Sequence, residues 1–233
     1  MALRINESFE GPVGVALDTT NTSATSFRAN GGTSVFDAAG VADGTTSAQF
    51  TTNTNGNDRS VNWTLTTVTV GYISFYITPQ TTATNATPVF RVADVTGNNT
   101  VFWVGLNAAQ NIELRDWATN TILGGTATTD GLVLNQLNRV DVSFNSGTVS
   151  LAFYPGNAQA NAPVGTATAG NTNTGTASYT DYVVRRVGNG YVFVSNFDAF
   201  RESDTALPGP VGAVVATPTP LAGAVVESDT LTA

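Results

Sequence analysis

Apolar and polar residues alternate along much of this chain with a period of two. Val61, Trp63 and Leu65 are separated by Asn62 and Thr64. Over residues 68–78, Ile73, Phe75 and Ile77 share one side, and Tyr72, Ser74 and Tyr76 share the other. Successive side chains of a strand point to opposite faces, so such runs predict β-strands with one face turned to a core. Val140, Val142 and Phe144 alternate with Asp141 and Ser143. The pattern resumes beyond Asn145-Ser146-Gly147 as Val149, Leu151 and Phe153, which predicts a β-hairpin. Residues 100–106, 112–116, 180–187 and 191–201 read as further strands, the last following a Gly188-Asn189-Gly190 turn. Residues 131–139 carry Leu132, Leu134 and Leu137 without a 3.6-residue period, so one or two short helical turns are the most helix expected. Many short strands separated by Gly/Asn/Asp turns predict an all-β fold, an antiparallel two-sheet jelly-roll sandwich.

Elsewhere the pattern weakens. Residues 157–178 are rich in Ala, Thr, Asn and Gly, and read as a long loop or an irregular edge. The first 60 residues are diffuse, with Phe9, Phe27, Phe36 and Phe50 as anchors into the core. From Leu207 onward Pro208, Pro210, Pro218 and Pro220 punctuate Gly, Ala, Val and Thr. Proline fixes φ and removes a donor, so residues 207–233 are expected to form an extended arm beyond a sandwich of residues 1–206. Leu207, Pro208, Val214, Val215, Val225 and Val226 are the residues expected to dock the arm on a partner.

Composition narrows the functions. Charged residues make up 11% of the chain, against about 25% in ordinary domains, and the net charge is −8. The nine basic residues are all arginine, and only Arg185 and Arg186 are adjacent. No basic stripe is available to neutralise phosphates, so nucleic acid is not an expected partner. No apolar run reaches the length of a membrane span, and the start Met1-Ala2-Leu3-Arg4 lacks the apolar region of a secretion signal. Cysteine and histidine are both absent. Disulfides, thiolate or imidazole metal sites, and Ser-His-Asp catalysis are thereby excluded.

Four segments resemble the concanavalin A-like lectin/glucanase superfamily, the laminin-G-like jelly rolls. Residues 68–77 (VTVGYISFYI) are similar to its long central strand. Residues 139–144 (RVDVSF) and 149–156 (VSLAFYPG) are similar to its hairpin, and residues 195–201 (SNFDAFR) to its closing strand. The tryptophan that usually precedes the hairpin is replaced by Asn138-Arg139. The resemblance spans roughly residues 60–202 and implies that Glu7-Ser8-Phe9-Glu10 pairs near the closing strand. Jelly rolls with Pro/Gly tails also resemble accessory proteins of tailed bacteriophages. On that likeness the chain is expected to be a non-enzymatic virion protein, a capsid decoration or minor tail protein assembled in the host cytoplasm. Its partners would be capsid or tail subunits, with self-association as a trimer. A carbohydrate-binding, lectin-like module recognising a cell-surface glycan is the alternative.

The candidate chemistry is sparse. The resemblance includes glycosidases whose retaining mechanism needs two carboxylates about 5–5.5 Å apart. Their Glu-x-Asp-x-x-Glu strand does not occur here, and Glu113 and Asp116 lie three apart on a strand. No cofactor is expected other than calcium, which takes oxygen ligands, for which Glu10, Asp18 and Asp198 are the candidates. Of the three tryptophans, Trp63 and Trp103 read as core. Trp117 is the candidate sugar platform.

Overall fold

The computed structural model describes residues 3–29, 33–51, 59–68, 70–82, 87–94, 100–116, 122–123, 131–145, 148–155, 163, 165–170, 179–186 and 194–211. Fourteen strands run through the described residues: β1 (Leu3–Glu7), β2 (Ser26–Ala29), β3 (Thr33–Asp37), β4 (Ser47–Thr51), β5 (Arg59–Val68), β6 (Val70–Pro79), β7 (Thr87–Asp94), β8 (Thr100–Leu106), β9 (Ile112–Asp116), β10 (Asn138–Asn145), β11 (Thr148–Tyr154), β12 (Gly165–Gly170), β13 (Tyr179–Arg186) and β14 (Val194–Ser203). The strands form two sheets. The larger has eight strands in the order β12-β11-β10-β6-β14-β4-β3, with β1 also on β14. The smaller has six, in the order β2-β5-β13-β7-β8-β9. Every pairing is antiparallel.

The two-residue period decides which side chains meet between the sheets. Ile73, Phe75 and Ile77 of β6, Val140, Val142 and Phe144 of β10, and Val149, Leu151 and Phe153 of β11 all face inward and are buried. From the smaller sheet come Val61, Trp63, Phe90, Val92, Phe102, Val104 and Leu114. Aromatic rings lock the layers together. Trp63 stacks on Phe200 at 4.4 Å with an interplanar angle of 2°. Phe75 reaches Phe90 at 5.4 Å and Phe200 at 6.3 Å, and Phe102 meets Phe144 at 5.9 Å. Burying each such ring contributes roughly 2–3 kcal/mol, with the edge and stacking geometry adding to it.

The hairpin forms in the expected register, from Arg139 opposite Tyr154 to Asn145 opposite Thr148. β1 pairs with β14, with Glu7 opposite Phe200. Arg4 ties that corner together, donating to Glu202 on β14 (2.7 Å) and to the Val70 carbonyl (2.9 Å). Two expectations are corrected. Residues 132–137 form turns instead of helix, and no helix occurs among the described residues. Within residues 157–178 there is an ordered edge strand, β12, whose backbone pairs with β11 although Gly165–Gly170 has no large apolar residue. A ladder needs backbone groups, not side-chain size.

Candidate functional site

The outer face of the larger sheet carries the alternate residues of the strands that build the core. Cross-strand pairing arranges them in rows. One row runs from Asp198 on β14 through Tyr76 and Arg139 to Tyr154. The next runs from Arg201 through Ser74 to Asp141. A third runs from Ser203 through Tyr72 and Ser143 to Ser150.

Asp198 and Arg201 share this face only because β14 is bulged. They are three residues apart, which in a regular strand would put them on opposite sides. The register shifts between Asp198 and Arg201, and Ala199 within the bulge takes φ +47. The extra residue resets the alternation, so that Phe200 still points into the core while Arg201 turns outward beside Asp198.

Arg139 is the centre of the first row. Its guanidinium lies 3.7 Å from the centroid of the Tyr154 ring and 3.3 Å from the Asp141 carboxylate, and it stands near enough to the Tyr76 phenol to favour its ionised form. Three segments roof this end of the face. Ala42, Leu137 and Val211 pack against Tyr76 and Ala199. The Val211 N–H donates to the Tyr76 hydroxyl at 2.9 Å, and Arg201 donates to the Gly209 carbonyl. Asp198 accepts from the N–H groups of Ala42 (2.5 Å), Asp43 (2.9 Å) and Ala199 (2.7 Å).

Burial dominates the electrostatics. It raises the Asp198 carboxyl from 3.8 to about 7, even though its three N–H donors act in the opposite direction. It also raises Asp141 and Tyr76, and lowers Arg201. The second row is only partly satisfied: Asp141 Oδ1, the Ser74 hydroxyl and Arg201 Nε are buried, yet none closes a hydrogen bond of good geometry within the protein. The hydroxyls of Ser74 and Tyr154 stand near enough to favour the ionised Asp141 without bonding Oδ1. Such unfilled valences are uncommon in protein interiors. The third row is more open, with Tyr72, Ser143 and Ser150 half-buried.

The structure separates the calcium candidates. Glu10 accepts from the Thr45 N–H (2.9 Å) and hydroxyl (2.8 Å). Asp18 closes its own turn, taking the Thr20 hydroxyl (2.6 Å) and N–H (2.7 Å), and these bonds lower its pKa. Asp198 belongs to the outer face. No three acidic side chains gather into a metal site among the described residues. An open recess of about 400 Å³ lies along Glu7, Glu10 and residues 20–23. Glu7 there already accepts the N–H groups of Phe9 and Ser23. Trp63 and Trp103 are buried, each 3% exposed. Trp117, Val214, Val215, Val225 and Val226 lie outside the described residues. Leu207 is 39% exposed and Pro208 half-buried, on the segment that crosses the outer face.

Sequence reasoning sought a tryptophan platform and missed this face. Tyr76, Arg139, Asp141, Tyr154 and Arg201 carry it. One signal was available: tyrosine at polar-side positions on both sides of a strand that reads Arg-x-Asp.

No protein-family model matches the chain, and no curated protein matches its sequence. Solved structures do match its fold. The protein titled "Cellulose induced protein, Cip1" superposes with a TM-score of 0.66 at 17% identity, over 88% of this chain and 99% of that one. A carbohydrate esterase from Shiga toxin-encoding bacteriophage phi24B gives 0.54 at 13%, over 76% and 88%. An alginate lyase from Corynebacterium sp. gives 0.50 at 10%, over 85% and 92%. The architecture is therefore a jelly-roll sandwich consistent with the concanavalin A-like fold. The expectation of a virion decoration or tail protein is overturned: these neighbours are carbohydrate-related, and the phage protein among them is named for an activity on carbohydrate. The expectation that the chain is not an enzyme falls with it. Lacking histidine, cysteine and a glucanase strand excludes particular mechanisms, whereas structures of similar fold are titled as an alginate lyase and a carbohydrate esterase.

Proposed function

We propose that this chain is a polysaccharide-binding domain that holds its ligand on the outer face of the larger sheet. The observation that carries this reading is the row Arg201, Ser74 and Asp141, where donors and acceptors point outward with buried atoms left unbonded. Sugar hydroxyls both donate and accept, and would fill these positions once the cover over the row opens. Tyr72, half-buried in the more open third row, supplies a ring of the kind on which a pyranose packs. The carbohydrate-related names of the fold neighbours support the same ligand class. The whole chain carries −8, so a neutral glycan is favoured over a uronate.

The test is affinity electrophoresis through gels containing hydroxyethyl cellulose, xylan or alginate. Retardation in the neutral glycans is expected, with Tyr72→Ala weakening it about tenfold by removing an accessible ring from the third row. Retardation that survives Tyr72→Ala unchanged puts the ligand elsewhere. No retardation of any form of the chain overturns the reading.

A second reading, cleavage of the bound glycan, is favoured by Asp198. A carboxyl held near 7 can both release and accept a proton at neutral pH, as general acid–base chemistry requires. Product release that persists in Asp198→Asn would remove that role.

A further inference from the structure

The segment that leaves β14 does not continue as a strand. Thr205 folds back, its N–H donating to the Ser203 hydroxyl at 3.2 Å, and the chain then crosses the outer face through Pro208, Gly209 and Pro210. Neither proline can donate to a ladder, and Gly209 sits at φ +75. What anchors this segment is side chains of the face itself. The Val211 N–H donates to Tyr76 (2.9 Å), Arg201 donates to the Gly209 carbonyl, and the Val211 side chain, 8% exposed, packs on Tyr76 and Ala199.

These contacts are of the kind a glycan would make. The segment offers one donor to a phenol, one acceptor to a guanidinium, and one apolar surface to a ring. We propose that residues 207–211 are an autoinhibitory strap, which occupies part of the glycan face and must lift from Tyr76 and Arg201 before a polysaccharide fills it. This rests on the polysaccharide-binding reading and adds to it a competition between ligand and strap for the same two side chains. A contact made of two side-chain hydrogen bonds and one apolar group, with no ladder, suits a segment that opens.

Gly209 offers a way to loosen the strap without touching the face. A Cβ at this position would meet nothing within 4 Å, but φ +75 strains any β-branched side chain. Gly209→Val therefore weakens the strapped conformation alone. Val211→Asp does the same from the other end, by placing a charge where an apolar group packs.

The experiment uses the full chain as wild type, Gly209→Val and Val211→Asp, with hydroxyethyl cellulose and alginate as separate probes. Hydrogen exchange of the Val211 amide is followed in the wild type with and without each polysaccharide. Both variants are expected to bind about tenfold tighter than wild type, because a smaller share of molecules is held strapped. In the wild type, saturating polysaccharide is expected to speed exchange at Val211 while β6 and β10 amides stay protected. Equal binding by all three forms, or Val211 exchange that slows on binding, overturns the strap and leaves the binding reading standing. Weaker binding by the variants also overturns it, since the segment would then be part of the site. Absence of binding by every form overturns both. If a variant fails to fold, the wild-type exchange decides alone.

Discussion

The two faces of the larger sheet are built from the same strands and are both largely dry, yet they are held in opposite ways. On β6, Ile73, Phe75 and Ile77 face inward and Ser74, Tyr76 and Thr78 face outward, and all six are buried. The inner set gains from burial directly, by shedding apolar surface onto facing rings. For the outer set burial acts against the charged forms: Asp198 and Asp141 are raised and Arg201 is lowered, each mainly by desolvation. The compensation is incomplete, as the unbonded atoms of Ser74, Asp141 and Arg201 show. One face stores stability and the other spends some of it. An under-satisfied polar face of this kind fits the proposed glycan-binding role better than a purely structural one.

The largest effect should come from the inner face. Phe75→Ala removes a fully buried ring that touches Phe90, Phe197 and Phe200. A loss of about 3–5 kcal/mol is expected in urea unfolding, with Tm falling accordingly. A loss below about 1 kcal/mol would mean that the core does not depend on this aromatic cluster.

The next effect belongs to the outer face and depends on pH. The folded-state pKa of Asp198, about 7, exceeds its unfolded value of 3.8. Between these values the folded chain keeps a proton that the unfolded chain has released. Stability from this group is therefore greatest below about pH 4, falls as pH rises, and is lowest above about pH 7. The span caps the swing at about 4 kcal/mol, an order of magnitude only. Other acids shift as well, Asp141 upward with burial and Asp18 downward with the hydrogen bonds of its turn. The informative quantity is therefore the difference between wild type and Asp198→Asn across pH 4 to 8. Wild type should lose stability relative to the variant as pH rises, and a flat difference would show that the backbone donors hold Asp198 ionised throughout.

Why one face was legible and the other was not follows from the same residues. Ile73, Phe75 and Ile77 announce an inward face because period two is a local property, and the hairpin register follows from the short turn after Asn145. The outer face depends on what pairs with what. Arg139 meets Tyr76 and Tyr154 only through the order β11-β10-β6, which no local pattern encodes. The bulge was hidden as well. Positive φ is usually flagged by glycine or asparagine, and here Ala199 adopts it. Read as a regular strand, residues 195–201 put Asp198 and Arg201 on opposite sides. Trp63 was correctly placed in the core, whereas Trp103 is buried on the other side of β8 from Phe102 and Val104, under Arg115. Treating tryptophan as the mark of a sugar platform drew attention from the tyrosines.

Ala199 gives a smaller test. At φ +47 its Cβ is strained, and glycine relieves that strain at some cost in unfolded-chain entropy. Ala199→Gly should leave stability within about 1 kcal/mol of wild type and preserve glycan binding. Ala199→Val should destabilise by more than about 1 kcal/mol and weaken binding, because the bulge that brings Arg201 beside Asp198 is then disfavoured. Equal behaviour of the two variants in denaturant and in affinity gels would detach the face from the bulge.

The smallest stability effect is also the most discriminating. Ser74 is fully buried between Arg201 and Asp141, and its hydroxyl closes no hydrogen bond within the protein. Removing an unsatisfied group of this kind has little to lose and a desolvation penalty to recover. Ser74→Ala should therefore change unfolding free energy by less than about 0.5 kcal/mol, the recovered desolvation offsetting what the nearby Asp141 carboxylate loses. If a sugar hydroxyl completes this row, the same substitution should weaken glycan binding about five- to tenfold, the worth of one hydrogen bond. A structural role predicts the reverse pairing, with stability lost and binding unchanged. The hydroxyl is one residue away from Phe75, so the two substitutions together separate what the sheet does for the fold from what it does for a ligand.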